Sequence, residues 1–477
     1  MRRTIQRVLV IGIIGVLTGC AARRATAPAP VSPSRGVDDL SALIRQGCYR
    51  CLERAYADAQ AHKSSSLAFE AAALLVLRSK ELGLPSAPWL ERARALAAAD
   101  PSSSVYLAIV EAIPPHPMSD DRDALFDFRG RTRARASLVA WRDSLQSGPG
   151  SEPFRAYLDV ALVCAYGTLK DNEQSFTGPV DPAAETPMYQ YRIGICDGTH
   201  AARLATLRAN NRDYVDADFA LGRYAIEDPI NPDHDEGVAR LESAAAGFPD
   251  SPAITTTLGN LHRRWEDWDR ALSAYDAAIT VSAGHPEALI GRAISLSHLS
   301  RSREAIETAT RLIDAGQWHL GEAYYWRAWN QLSLGNHEFA RADADRAVTL
   351  MANAAVFVLS GVIEWRLRRL ESAEREFQAA LSIDFGECEA AFDLGVVRDE
   401  RAKPAEALAA FQQARQCYEL SIGVRRDAIA KVLAGPGSDT SKARESARHE
   451  RELMNLEARQ ESVVRAIAVL DGAADIR

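Results

Sequence analysis

Cys48-Tyr49-Arg50-Cys51 is the segment of this 477-residue chain whose residue types and spacing come closest to chemistry. Two cysteines three apart can form a redox couple, supply half of a four-ligand metal site or, when His follows, attach a haem. Leu52 follows, which excludes the haem, and no second pair at this spacing exists to complete a zinc site. Gly47 places Cys48 at a helix start, where a thiol is activated. A bland role fits the same residues: Leu40, Ile44, Cys48, Cys51 and Ala55 form one apolar helical stripe, as core packing or a local disulfide requires.

The other cysteines suggest bridges rather than catalysis. Cys388 stands at the start of one helix and Cys417 at the end of the next, ends that an antiparallel hairpin brings together. A disulfide or two free thiols are both open there, and Cys164 and Cys196 flank an irregular stretch and form a second candidate pair. No P-loop, dinucleotide-binding glycine turn, H-E-x-x-H or G-x-S-x-G occurs in the helical body. Asp233-His234-Asp235 reads as a solvated loop, and Asp120-Asp121-Arg122-Asp123 as a helix start. The sequence therefore assigns no catalytic residue, no metal and no cofactor, and the chain does not read as an enzyme.

Cys20 has a different chemistry. Arg2, Arg3 and Arg7 precede an apolar run from Val8 to Leu17, too short for a lasting membrane span, and Leu17-Thr18-Gly19-Cys20 ends it. This ending resembles the lipobox of bacterial lipoproteins. The resemblance implies a signal peptide over 1–19, acyl chains such as palmitate on Cys20, and stable anchoring by more than one chain. Ala21, in place of the aspartate that retains such proteins at the inner membrane, implies the outer membrane of a two-membrane bacterium, facing the periplasm. Residues 20–36, proline-rich and aperiodic, read as a tether reaching about 50 Å. The net charge is −8, so nucleic acid is not an expected partner.

The elements that must position any site announce themselves as a beat. Ala271, Ala305, Ala340, Ala373 and Ala407 recur every 33 to 35 residues. Twelve residues before each lies a small residue (Gly259, Ala293, Ala328, Gly361, Gly395), and seven after come Ala278, Leu312, Ala347, Ala380 and Ala414. Four after, three copies carry an aromatic (Tyr275, Phe377, Phe411) and two carry Ala309 and Ala344. Such a period marks one helical hairpin copied along the chain. Small residues are needed where its two helices cross.

At these positions residues 252–420 resemble the tetratricopeptide repeat family, with Leu258-Gly259, Ala271, Tyr275, Ala278 and Leu394-Gly395, Ala407, Phe411, Ala414 as the nearest copies. The proline usual near each repeat's end is missing from its slot, and Arg292 and Arg327 stand where leucine is expected. The resemblance implies an all-α, right-handed superhelical solenoid of antiparallel helix pairs. The expected organisation is a degenerate helical-repeat region over 37–250, a five-repeat array over 251–420 and capping helices over 421–477. Within the first region, helices are expected near 66–82, 87–99, 103–113, 121–147, 152–169 and 199–211, with 170–195 as a loop. The last helix carries Leu453, Leu456, Val463, Ile467 and Leu470 at three- and four-residue steps. It reads as a cap on the last repeat or as a coiled-coil strand joining two copies of the chain.

By the same resemblance, partners lie along the concave face formed by the first helix of each repeat. The positions carried over are Asn260, Arg263, Arg264, Ile290, Ile294, His298, Tyr325, Trp329, Val358, Val362, Trp365, Arg366, Phe392, Val396 and Asp399. They would suit an extended peptide or a partner helix, unless the apolar ones pack between repeats. The expectation is a membrane-anchored adaptor in envelope assembly, secretion or pilus-type machinery. The alternative is an envelope redox or enzyme accessory protein using Cys48 and Cys51.

Overall fold

A computed structural model describes residues 37–113, 140–145, 148, 150–166, 186–196, 201–227, 233–316, 318–435 and 438–474. The signal segment 1–19, Cys20, the tether to residue 36 and most of 121–147 lie outside the described residues. Among the described residues helices are the only regular elements. The N-terminal region holds α1 (Val37–Gln46), α2 (Tyr49–Ala61), α3 (Ser65–Leu82), α4 (Ala87–Ala99) and α5 (Ser104–Ala112). It continues with α6 (Glu152–Tyr166), α7 (Pro187–Cys196), α8 (Ala201–Asn210), α9 (Asp216–Glu227) and α10 (His234–Gly247).

The array follows as α11 (Pro252–Arg264) with α12 (Trp268–Val281), then α13 (Pro286–His298) with α14 (Ser302–Ala315). Next come α15 (Leu320–Ser333) with α16 (His337–Leu350) and α17 (Ala354–Arg366) with α18 (Leu370–Ile383). The last pair is α19 (Cys388–Glu400) with α20 (Pro404–Ala434), and α21 (Asp439–Ala474) closes the chain. Each array helix packs on its neighbour in sequence, and the first helices of adjacent pairs also touch, the contact pattern of a solenoid.

The crossing point explains the beat. An added Cβ at Gly259, Gly361 or Gly395 would sit 2.7, 2.6 and 2.6 Å from the rings of Tyr275, Phe377 and Phe411. Where the small residue is Ala293 or Ala328, the facing residue four after the beat is Ala309 or Ala344 instead. Glycine thus goes with an aromatic and alanine with alanine, so the volume at each crossing stays filled. In the two alanine pairs the arginines that replace leucine make charged contacts, Arg292 to the preceding pair and Arg327 within its own. Arg292 Nε donates to Asp276 at 2.6 Å, and Arg327 forks onto Asp343 at 2.6 and 2.8 Å.

The turn between the helices of each pair repeats as well. Glu266, Ser300, Gly335, Arg368 and Ala402 all have φ between +57° and +79°. After each, the next N–H closes on a carbonyl five residues back (Asp267 on His262, Arg301 on Leu296, Asn336 on Gln331, Arg369 on Glu364, Lys403 on Arg398). This left-handed cap satisfies the carbonyls at the end of the first helix. Glycine adopts it without strain, yet only the third pair uses one.

Three expectations change in the structure. Residues 187–195 are not loop but the buried helix α7, with Tyr189, Tyr191, Ile193 and Ile195 enclosed together with Arg192. A helix enclosed on every side shows no amphipathic period, which is why its sequence looked irregular. Residue 420 is not a boundary, since α20 runs through it without a break to Ala434. Asp233-His234-Asp235 is not a solvated loop: Asp233 caps α10, His234 is buried edge-on to Trp265, and Asp235 bonds to the C-terminal helix.

α21 runs antiparallel to α20, with Arg425 to Glu452 at 2.6 Å and Arg426 to Glu457 at 2.8 Å. Val463, with Leu456, Ile467 and Leu470 around it, packs on Phe411, Ala414 and Tyr418 of the last repeat. Most of the apolar stripe that suggested a joint between two chains is therefore occupied within the chain.

Candidate functional site

The first helices of the array present a face that is open in the middle and spanned at one end. Asn260 sits between Tyr275, whose hydroxyl donates to it at 2.6 Å, and Glu287, to which its amide donates at 2.6 Å. Arg263 and Arg264 follow on the same helix. Together with Thr257, Glu287 and Arg223 they line a cavity of about 550 Å³ whose far wall is Arg448 of α21. The C-terminal hairpin therefore lies over the face formed by the first helices.

Its tip is fastened where the array begins. Asp235 accepts from Ser438 at 3.0 Å and from Arg444 at 3.3 Å, and Arg451 meets Glu266 at 3.0 Å. The Arg444 guanidinium lies 4.5 Å from the Trp265 ring centroid, within cation–π range. From there α21 returns to the last pair at Val463. The array is a bow and the hairpin its string.

Beyond the cavity the face becomes aromatic. His298 stacks flat on Trp268 at 3.9 Å and stands 5.8 Å from Trp326, which in turn lies 6.4 Å from Trp329. Trp329 is 44% exposed. Burial holds the His298 imidazole below the ordinary histidine value, with Glu266 acting against it. Glu322 is held below the usual carboxylate range, chiefly by its hydrogen bond from His319. At the far end Trp365 donates to Glu400 at 3.0 Å, with the Arg366 guanidinium 5.2 Å from its ring.

The residues carried over from the resemblance divide between this face and the packing beneath it. Arg264, His298, Trp329, Arg366 and Asp399 are exposed, and Arg263 and Asn260 are half-buried in the cavity wall. Ile290 is buried and Ile294 packs against the same cluster, while Tyr325 packs against Ala328, Leu359 and Ile363. Phe392 tilts on Phe411 at 5.6 Å as part of the last core. Val358 and Val362 pack on the Phe377 cluster and Val396 on the last core, so these positions offered as groove lining belong to packing within and between repeats. Trp268, Trp326, Glu287 and Arg448 were missed. Trp326 and Glu287 lie one turn from positions that were chosen, Trp268 opens the second helix of the first pair, and nothing local marks Arg448.

At the carboxyl of Asp393, on α19, burial and Glu389 push the pKa up to about 7, against the pull of Arg459 and Arg366. Among the described residues no group of three or more His, Cys, Asp or Glu is placed to hold a metal ion. Cys48 and Cys51 form a disulfide, both fully buried, and the Cys48 sulfur caps α2 by accepting from the Cys51 N–H. Cys164 is bonded to Cys196, and Cys388 to Cys417.

No family model matches the chain, and no curated protein matches it either. Solved structures do. YrrB, described as a TPR protein with an unusual peptide-binding site, is 21% identical over 37% of this chain and 91% of its own, with a TM-score of 0.32. A tetratricopeptide repeat protein from Parabacteroides merdae is 17% identical over 56% of this chain and 98% of its own, with a TM-score of 0.36. PilW, a type IV pilus biogenesis factor, is 13% identical over 38% of this chain and 84% of its own, also with a TM-score of 0.36. The fold itself is carried by the hairpins above: a tetratricopeptide-like solenoid of antiparallel helix pairs.

Proposed function

We propose that the chain is a protein-binding scaffold whose working surface is the face of the first array helices between the basic cavity and Trp365. The observation that carries this reading is the run Trp268, His298, Trp326 and Trp329, which keeps Trp329 open to solvent. A soluble protein gains nothing in stability from an exposed tryptophan, whereas aromatic anchors dominate the energetics of protein interfaces. An extended peptide or one partner helix suits such a face.

The lipobox-like ending at Cys20 supports a setting at the bacterial cell envelope, by an acyl anchor at the outer membrane with the array in the periplasm. Among the described residues no helix is long and apolar enough to cross a membrane. In that setting the scaffold would serve envelope assembly, secretion or pilus-type machinery. The redox alternative is disfavoured by the burial of both Cys48 and Cys51, because thiol–disulfide exchange needs an attacking thiolate to reach a sulfur.

The test is a photo-crosslinking side chain at position 329, activated in native membranes. Defined protein bands are expected from it, and none from a crosslinker at the convex residue Arg346. Identical bands from the two positions would remove the groove reading. Labelling with an alkyne palmitate should be lost in Cys20→Ser, and retention of the label would remove the anchor.

A further inference from the structure

The cavity between α11 and α21 has a composition that the scaffold reading does not require. Among the described residues, Arg223, Arg263, Arg264 and Arg448 line it together with one carboxylate, Glu287. Arg263 and Arg264 make no ion pair among the described residues. The Nε atoms of Arg263 and Arg448 are buried without any acceptor. A desolvated guanidinium donor with no partner is costly, and the positive charge it belongs to favours an anion in the cavity beside it. Arg448 is half-committed already, since its terminal nitrogens hold Glu445 and Glu452.

Resting on the scaffold reading, we propose that this cavity binds the carboxylates of an acidic peptide segment and is complete only while the C-terminal hairpin is docked. The forked donors of several arginines suit carboxylate oxygens. Glu287 in the same wall favours a peptide over a free polyanion. It repels a compact anion of high charge, while its oxygens can accept from the N–H groups that run between a peptide's acidic side chains. Arg263 in the cavity wall acts electrostatically on His298, which stacks on Trp268, so a peptide anchored there can continue onto the aromatic face.

Dependence on the hairpin follows from which element supplies what. Arg263 and Arg264 belong to the first array pair and Arg223 to α9, whereas Arg448 lies on α21. The two ion pairs at the hairpin tip are solvent-exposed: Asp235 with Arg444 has side chains 36% and 40% exposed, and Glu266 with Arg451 37% and 46%. Such pairs contribute little each. Gly423, the glycine inside α20, has no side chain to pack and open space around it, which lowers the stability of the helix between the last repeat and the tip. A ligand held from both sides therefore favours the docked state, and by linkage the docked state favours the ligand.

The experiment titrates the full chain in detergent into fluorescein-labelled hexaglutamate, amidated at its C-terminus, and follows anisotropy. Hexaglutamine is the neutral control and inorganic phosphate the competitor. Hexaglutamate should bind in a salt-sensitive manner, and hexaglutamine and phosphate should not compete for it. The double variant R263Q/R264Q should weaken binding about tenfold or more, as loss of charge-assisted hydrogen bonds does. The variant D235A/E266A, which keeps all four arginines and removes the latch, should weaken it as well. R346Q, on the convex face, should leave hexaglutamate affinity unchanged.

Equal binding of hexaglutamine, full displacement by phosphate, or an R263Q/R264Q variant that binds normally would each overturn the carboxylate site. Normal binding by D235A/E266A would overturn the coupling to the hairpin. Helicity and melting temperature confirm that each variant is folded, and R263K/R264K keeps the charge without the fork and should recover part of the affinity. If hexaglutamate fails to bind while crosslinks from position 329 persist, the cavity assignment falls and the scaffold reading stands. If the crosslinks are lost and hexaglutamate still binds, the reverse holds.

Discussion

Arg78 and Asp216 meet at complete burial across 138 residues of sequence, whereas Arg327 and Asp343 meet across a single hairpin, 16 residues apart, with water still reaching both. The first pair belongs to a closed network. Arg78 also holds Glu81 at 2.8 Å, Glu81 accepts from Arg192 at 2.6 Å and from Tyr157 at 2.8 Å, and Asp216 accepts from the Tyr49 N–H at 2.7 Å. The Tyr191 ring lies 3.5 Å from the Arg78 guanidinium. Two arginines face two carboxylates, so the network is neutral. One continuous apolar cluster surrounds it and extends from Leu43 to Trp265, into the first helix of the array.

The array has no such centre. Its apolar residues fall into small groups, one at each junction between pairs, as stability built from nearest neighbours predicts. Both regions are made of helical hairpins, but they differ in how far the consequence of one residue travels. Damage to the N-terminal network should be felt by the whole region, and damage to an array crossing mainly by its neighbours.

The largest expected effect tests the network. Asp216→Ala leaves a buried guanidinium half-paired and should cost about 3–5 kcal/mol of unfolding free energy, read by urea denaturation. Arg327→Ala, the array counterpart, should cost about 1 kcal/mol. Equal losses would erase the distinction between the regions. Next comes the crossing point: Gly361→Ala drives a methyl into the Phe377 ring and should cost about 1–3 kcal/mol. The same measurement on Gly361→Ala with Phe377→Ala should return less than the sum of the two single losses, because the residues touch. Strict additivity would sink the volume-exchange account of the beat.

A smaller effect concerns pH. Asp393 keeps its proton up to about pH 7 in the folded chain, while the unfolded chain releases it near the ordinary aspartate value of 3.8. Folding then binds more protons between those values, so this group makes stability fall as pH rises from about 4 to about 7 and adds no slope above. Asp393→Asn should flatten that part of the melting-temperature profile and melt higher than wild type at pH 8. An unchanged slope would mean that burial and Glu389 do not raise the Asp393 carboxyl. The smallest effect is a gain. Ala402→Gly relieves a left-handed cap and should raise stability by about 0.5–1 kcal/mol, whereas the same change at Ala293 should lower it by about as much.

The contrast between the regions also measures what could be read before the structure. The array was legible because its determinants are local. Gly361 and Phe377 lie within one hairpin, and Gly335 lies in the turn between two helices, so spacing along the chain translates directly into contact. The N-terminal helices α3 and α4 were legible for the same reason, from their flanking breaks at Gly83 and Asp100. α7 was not, because burial on all sides erases the periodicity by which a helix is recognised. The aromatic face was half legible: Trp329 stood on a chosen position, but His298 needed Trp268 and Trp326 to become a stack.

The sequence by itself determined the helical hairpin, its repetition, the small residue at each crossing and the paired ends that bring Cys388 beside Cys417. Each depends on residues less than one repeat apart. Only the tertiary structure decided that Arg78 meets Asp216, that the last helix returns to Asp235 and Glu266, and that Arg448 faces Arg263 across a cavity. Those contacts depend on the accumulated curvature of many hairpins. A small rotation at each junction leaves no mark in any one repeat, yet their sum sets where the two ends of the array meet.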